Sequence, residues 1–242
     1  MKKIFASLAV AAVSVATFAT ADTFENNRSK SANNNSPGFY VGGGLGAVRA
    51  KGFKEVTGEY INTYAKGKLK GKPALHLYNF FAGYKFNEYF RADVNGQYRS
   101  FKYSTVEAEV VGTSTYEQKI KNYSLFLNGY IDAPTKTAFT PYVTAGLGYA
   151  SNTPNALAYK YPTQSVLNFN APGKKTGNLA WNVGVGSKIR IYKNWDLSAE
   201  YRYVDLGKVK AKTAVNGNKN TVPAASQKLK VHQGLLNVIY NL

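Results

Sequence analysis

An all-β fold, an eight-stranded antiparallel up-and-down transmembrane barrel, is what this 242-residue sequence predicts. Three observations carry it. Apolar and polar residues alternate with a period of two over eight long segments, a strand signature. The connections between those segments are alternately short and long. The composition, with 22 Gly, 19 Tyr, 13 Phe and no Cys, suits β structure. It also excludes a disulfide frame, an iron–sulfur cluster and a thiol nucleophile. His76 and His232 are the two histidines, so a multi-histidine metal site is not expected, and no cofactor is implied.

The chain begins with an export address. Met1-Lys2-Lys3 is basic, Ile4 to Val15 is apolar apart from Ser7 and Ser14, and Ala19-Thr20-Ala21 is the small-x-small pattern cut by signal peptidase. Residues 1–21 are therefore expected to be a signal peptide cleaved after Ala21. The apolar run is too short to span about 30 Å of hydrocarbon. Residues 22–37 are polar and Asn/Ser-rich and read as a disordered periplasmic tail, and 38–242 as the barrel. Loss of the two leader lysines takes the net charge from +18 to +16.

The eight segments fall at about 38–49, 74–86, 89–102, 119–132, 140–151, 178–192, 195–206 and 229–242. In the first, Phe39, Val41, Leu45 and Ala47 share one parity and Gly42, Gly44 and Gly46 the other. In the third, Phe90, Ala92, Val94, Gly96 and Tyr98 oppose Arg91, Asp93, Asn95, Gln97 and Arg99. In the sixth, Leu179, Trp181, Val183, Val185, Ile189 and Ile191 oppose Asn182, Gly184, Gly186, Lys188 and Arg190. In the seventh, Leu197, Ala199, Tyr201 and Tyr203 oppose Asp196, Ser198, Glu200 and Arg202. The eighth alternates apolar residues, Leu236, Val238, Tyr240 and Leu242, to its last position. This is the signal expected for the barrel-assembly machinery, with Leu in place of the commoner Phe.

Asn87-Glu88 and Lys193-Asn194 are tight turns, and Ala133 to Phe139 is a short connection. The other four connections are long, at about 50–73, 103–118, 152–177 and 207–228. An even strand count with short turns at one end and long loops at the other is the pattern of an outer-membrane barrel. Segment length agrees, since crossing a bilayer at a tilt takes about 9–11 residues, against about 5–6 for an ordinary soluble strand. Aromatics near the segment ends, Phe39, Tyr84, Phe86, Phe90, Tyr98, Tyr149, Trp181, Tyr203 and Tyr240, are candidates for two interfacial girdles. Arg91, Asp93, Arg99, Lys188, Arg190, Asp196, Glu200 and Arg202 are expected to form a charge network in the lumen, because buried charges require partners. Eight strands leave an interior about filled by side chains, so no large diffusion pore is expected.

The layout resembles the OmpA-like and opacity-type family of eight-stranded surface barrels. Leu127-Asn-Gly-Tyr-Ile-Asp132, Pro141-Tyr-Val-Thr-Ala-Gly-Leu-Gly-Tyr149 and Ala199-Glu-Tyr-Arg-Tyr-Val-Asp-Leu-Gly-Lys208 resemble stretches of the rickettsial adhesins and related surface antigens of α-proteobacteria. The resemblance covers 38–242, most specifically 120–242. It implies an outer-membrane surface antigen or adhesin with extracellular loops and periplasmic termini, and, since no Ser/His/Asp spacing offers a base–nucleophile pair, no enzymatic activity is expected.

The four long loops with their strand edges hold 19 basic and 5 acidic residues. The positive field therefore points to one end of the barrel and attracts polyanions: lipopolysaccharide phosphates, sulfated glycans or acidic patches of host-cell surface proteins. Lys66, Lys68, Lys70 and Lys72 in the first loop and Lys208, Lys210 and Lys212 in the fourth are the candidate contacts. Nucleic acid is not an expected partner. A small structural barrel or narrow porin with no specific ligand is the alternative reading.

Overall fold

A computed structural model of the chain describes residues 37–50, 70–71, 74–109, 112–135, 137–155, 157–160, 169–171, 173–211, 214–215, 221–222 and 226–242. The expected signal peptide with its Ala21 cleavage site, most of the N-terminal tail, and Lys66, Lys68, Lys72 and Lys212 lie outside the described residues. Eight long strands build the wall: β1 (Gly38–Ala50), β2 (Ala74–Lys85), β3 (Phe90–Glu109), β4 (Gly112–Asp132), β5 (Phe139–Pro154), β6 (Thr176–Tyr192), β7 (Trp195–Ala211) and β8 (Ser226–Asn241). Each pairs antiparallel with its sequence neighbours, and β8 pairs with β1 from Tyr40↔Asn241 to Ala50↔Val231, closing the ring.

The expected segments are the observed strands, with one correction. The connection expected at about 103–118 is largely ladder: β3 and β4 stay paired out to Glu109↔Gly112. The sequence there, with Tyr103, Thr105, Val106, Thr115 and Tyr116, is rich in the β-branched and aromatic residues that strands favour. Short strands elsewhere lean on this hairpin, Lys70–Gly71 against Tyr103–Ser104 and Leu157–Lys160 against Thr115–Glu117.

Alternate side chains face opposite sides of the wall. The apolar parity points outward: Leu147 is 65% exposed, Leu179 79%, Leu127 64% and Leu236 57%. Monomeric soluble proteins rarely leave such contiguous apolar surface to water, whereas hydrocarbon solvates it. Aromatic rings mark both edges of this band. At the short-turn end Phe39, Tyr84 and Phe86 form a chain of edge contacts, and Trp195 meets Tyr240 at 4.8 Å. At the long-connection end Tyr98 meets Tyr78 and Tyr123, and Trp181 meets Tyr203 at 5.5 Å.

Candidate functional site: a lysine face above an apolar plug

The inward parity is built in layers. Nearest the short turns, the Asp132 carboxylate accepts from Arg91 Nε at 3.1 Å and from Lys188 Nζ at 2.5 Å. The Arg91 guanidinium also lies 3.8 Å from the Tyr130 ring centroid. Arg190 pairs with Asp196 at the same end. In the middle, Arg202 pairs with Glu200 and donates to Tyr130 Oη at 2.8 Å. Tyr142 donates to Glu200 at 3.0 Å, and Asp93 accepts from Tyr130 Oη and Asn128 Nδ2, each at 2.8 Å. Adjacent strands and strands across the lumen thus share ion pairs and hydrogen bonds, as a narrow barrel requires.

Arg99 stands apart from the expectation that each lumen charge faces an opposite charge. It donates to Asn122 Oδ1 at 2.7 Å, Ser124 Oγ at 2.8 Å and Gln233 Oε1 at 3.0 Å, and it touches Gln97. Four neutral oxygens solvate this cation. Asp132, by contrast, holds two cations although the sequence reading did not single it out. Its parity, shared with Asn122, Ser124 and Asn128, was the available signal.

Toward the long connections the inward parity turns apolar. Val48, Ile120, Ala150, Ala180, Val204, Leu206, Leu229 and Val231 are fully buried against one another, joined by Ala50 and Val209. This plug lies above the polar layers, and its side chains fill the lumen there out of contact with solvent. Purified protein in planar bilayers is therefore expected to show no steady ion conductance. Large stable openings would contradict the plug.

A bulge sets where the plug ends and the basic surface begins. The β7–β8 register shifts between Asp205 and Lys208, at Gly207, whose φ is +74°. Such a φ suits Gly, which has no Cβ to clash. The Gly207 amide donates to Asp205 Oδ1 at 2.9 Å. An unbroken strand would send Lys208 into the lumen after Val204 and Leu206. The extra residue instead sends Val209 inward, 7% exposed, and leaves Lys208 outside and exposed.

Beyond the bulge, register gathers lysines on the outer face. Lys208 lies directly opposite Lys228, and Lys210 opposite Lys174 of the short strand Gly173–Lys174. Because Lys208 and Lys210 are two apart, all four positions share one sheet face. Lys174, Lys175, Lys208 and Lys228 are exposed. Lys230, one outward position below Lys228, faces Asp205 at 3.8 Å. No other carboxylate among the described residues pairs with Lys174, Lys208 or Lys228. Lys70 is placed by its backbone opposite Ser104, on the other side of the barrel. Lys70 and Lys208 are therefore not neighbours. His232 is in the aromatic girdle, its Nδ1 2.6 Å from Tyr201 Oη. Among the described residues no group of three or more His, Asp and Glu side chains could hold a metal ion.

A closed antiparallel ring with a lipid-facing apolar band, two aromatic edges and a charged, plugged interior defines an integral outer-membrane barrel of the eight-stranded, OmpA-like class. The family described as outer membrane protein beta-barrel domain matches residues 5–241, and the chain belongs to it. It is an outer-membrane protein. It is 30% identical over 129 residues to outer membrane protein PagN of Salmonella typhimurium, a match covering 51% of each chain. The matched region thus spans about half the length of that curated relative. Among solved structures it is similar to OprG of Pseudomonas aeruginosa, with TM-score 0.55, 15% identity and coverage of 86% of this chain and 97% of that one. It is also similar to a major outer membrane protein of Thermus thermophilus, with TM-score 0.50, 10% identity and coverage of 86% and 100%. These likenesses concern the fold.

Proposed function

We infer that this is a cell-surface protein of the adhesin and surface-antigen type, whose long connections face the exterior and whose lysines contact polyanions. The carrying observation is that the four long connections with their strand edges, which join the strands at the end opposite the short turns, hold 19 basic residues against 5 acidic ones in the sequence. A cleaved leader at Ala21 delivers the chain, the C-terminal strand engages the assembly machinery, and both termini stay in the periplasm. Sulfated glycans or acidic patches of host-cell surface proteins then meet a dense positive field at one pole of the barrel. The protein carries out no reaction in this reading.

Intact cells displaying a variant with Lys66, Lys68, Lys70, Lys72, Lys208, Lys210 and Lys212 all changed to Gln are expected to bind heparin several-fold less than cells displaying the unaltered protein. The difference should shrink as NaCl rises, because exposed charges are screened. Equal binding by both would reject the reading.

A further inference from the structure

We propose that the outer face of β7, β8 and the strand Gly173–Lys174 is a docking surface for the phosphorylated headgroup of an outer-leaflet glycolipid. Lys174, Lys208 and Lys228 would be its phosphate contacts. The surface belongs to the barrel wall rather than to the loop tips, and it shares with the functional reading above Lys208 and the assumption that the long connections face outward.

Two observations meet here. The first is an unfavourable pairing that the fold maintains. Like charges directly opposite in an antiparallel ladder repel, since their Cβ atoms are about 4.5–5.5 Å apart. Lys208↔Lys228 is such a pair and Lys210↔Lys174 occupies adjacent register. The nearest described acid, Asp205, already faces Lys230. The bulge at Gly207 is what turns Lys208 to this face. An anion seated between the pairs converts the repulsion into attraction.

The second observation is height. On the outer face, β7 runs Tyr201, Tyr203, Asp205, Lys208, and β8 runs His232, Lys230, Lys228. Tyr203 packs on Trp181 and on His232, inside the aromatic edge of the lipid band. Two residues of strand advance about 7 Å. The lysines therefore stand one or two side chains above the ring that marks the hydrocarbon boundary, at the level of lipid phosphates. A soluble glycan approaching from outside meets the loop tips first, whereas a lipid held in the same leaflet has its phosphates already at this level. Aromatic side chains below and cations above match the two halves of such a lipid.

The test uses the full-length protein refolded into phosphatidylcholine vesicles containing bisphosphorylated lipid A. Folding of every variant is checked by resistance of the barrel to SDS before heating. Native mass spectrometry then scores lipid A retained on the barrel. Lys174→Gln/Lys208→Gln/Lys228→Gln is expected to retain about 10–100-fold less lipid A, since each lysine near a charged membrane surface contributes substantially to binding. The matching Lys→Arg variant should retain it, and dephosphorylated lipid A should bind the original protein no better than it binds the Gln variant. Equal retention by the original and Gln proteins would overturn the proposal. So would loss of heparin binding with lipid A retention unchanged, which would give these lysines to an external partner and leave the adhesin reading standing. Failure of the seven-lysine variant to change heparin binding, with lipid A retention still dependent on Lys174, Lys208 and Lys228, would reject the adhesin reading alone.

Discussion

Replacing Asp132 with Ala should destabilise the barrel more than any other single lumen change, by about 3–5 kcal/mol, the usual cost of stranding a buried charge. Asp132 is 1% exposed in its side chain, and it faces both Arg91, at 5%, and Lys188, at 15%. Its loss leaves two cations with one carboxylate fewer in a space closed above by the apolar plug. Arg91 keeps its aromatic neighbours Tyr130 and Tyr142, but an aromatic face is a weak substitute for a carboxylate. Asp132→Asn keeps shape and one acceptor and should fall between the two. Urea unfolding in phospholipid vesicles, followed by the fluorescence of Trp181 and Trp195, measures the difference. A loss below about 1 kcal/mol would mean that water solvates these cations and that the lumen is wetter than its burial implies.

Gly207→Ala should cost about 2–5 kcal/mol and turn lysines the wrong way. A non-Gly residue in the left-handed region costs about 1–2 kcal/mol, and overpacking adds about 1–3 kcal/mol. An added Cβ at Gly207 would come within 2.3 Å of Asn178 Cβ. Asn178 is held there because its Nδ2 donates to the Lys208 carbonyl at 2.8 Å, beside Thr176 Oγ1 at the same distance. The chain can escape the clash by losing the bulge, which would flip the parity of every later residue in β7. Val209 would leave the plug and Lys208 would enter it. Vesicle unfolding measures the stability change, and amine labelling of Lys208 reports its exposure. Unchanged stability together with unchanged labelling would show that the bulge is not specified by Gly207.

Period two is a statement about sides, and the sides were legible. The outward run Phe90, Val94 and Tyr98, the inward run Arg91 to Arg99 and the terminal Leu236-x-Val238-x-Tyr240 all lie as their parity predicts. What alternation does not encode is height along the axis. Val204 and Leu206 share parity with Glu200 and Arg202, yet they belong to a dry layer where the others belong to a wet one. Read from sequence alone, they look like a fading of the pattern. The bulge is hidden for a related reason: one inserted residue leaves composition unchanged and is announced only by a Gly within a strand. The β3–β4 hairpin outran its expected end because a polar, Thr- and Glu-containing segment resembles a loop until its ladder partner is known. The lysine face depends on that same long-range information. Lys208 and Lys228 are separated in sequence by the whole connection after β7, and only register makes them neighbours.

The seam between β1 and β8 sets the order of events during biogenesis. Its eleven consecutive pairs, and the Leu242 amide donating to the Phe39 carbonyl at 3.0 Å, join the first part of the barrel to its final residues. No rung of that seam can form until the last strand has arrived, so the ring cannot shut progressively behind the emerging chain. Until then β1 and β7 each carry a row of unsatisfied amides and carbonyls, which hydrocarbon cannot solvate. A chain stopped short of β8 is consequently an open, sticky half-product rather than a smaller cylinder. A stalled export event would leave behind something the envelope has to clear.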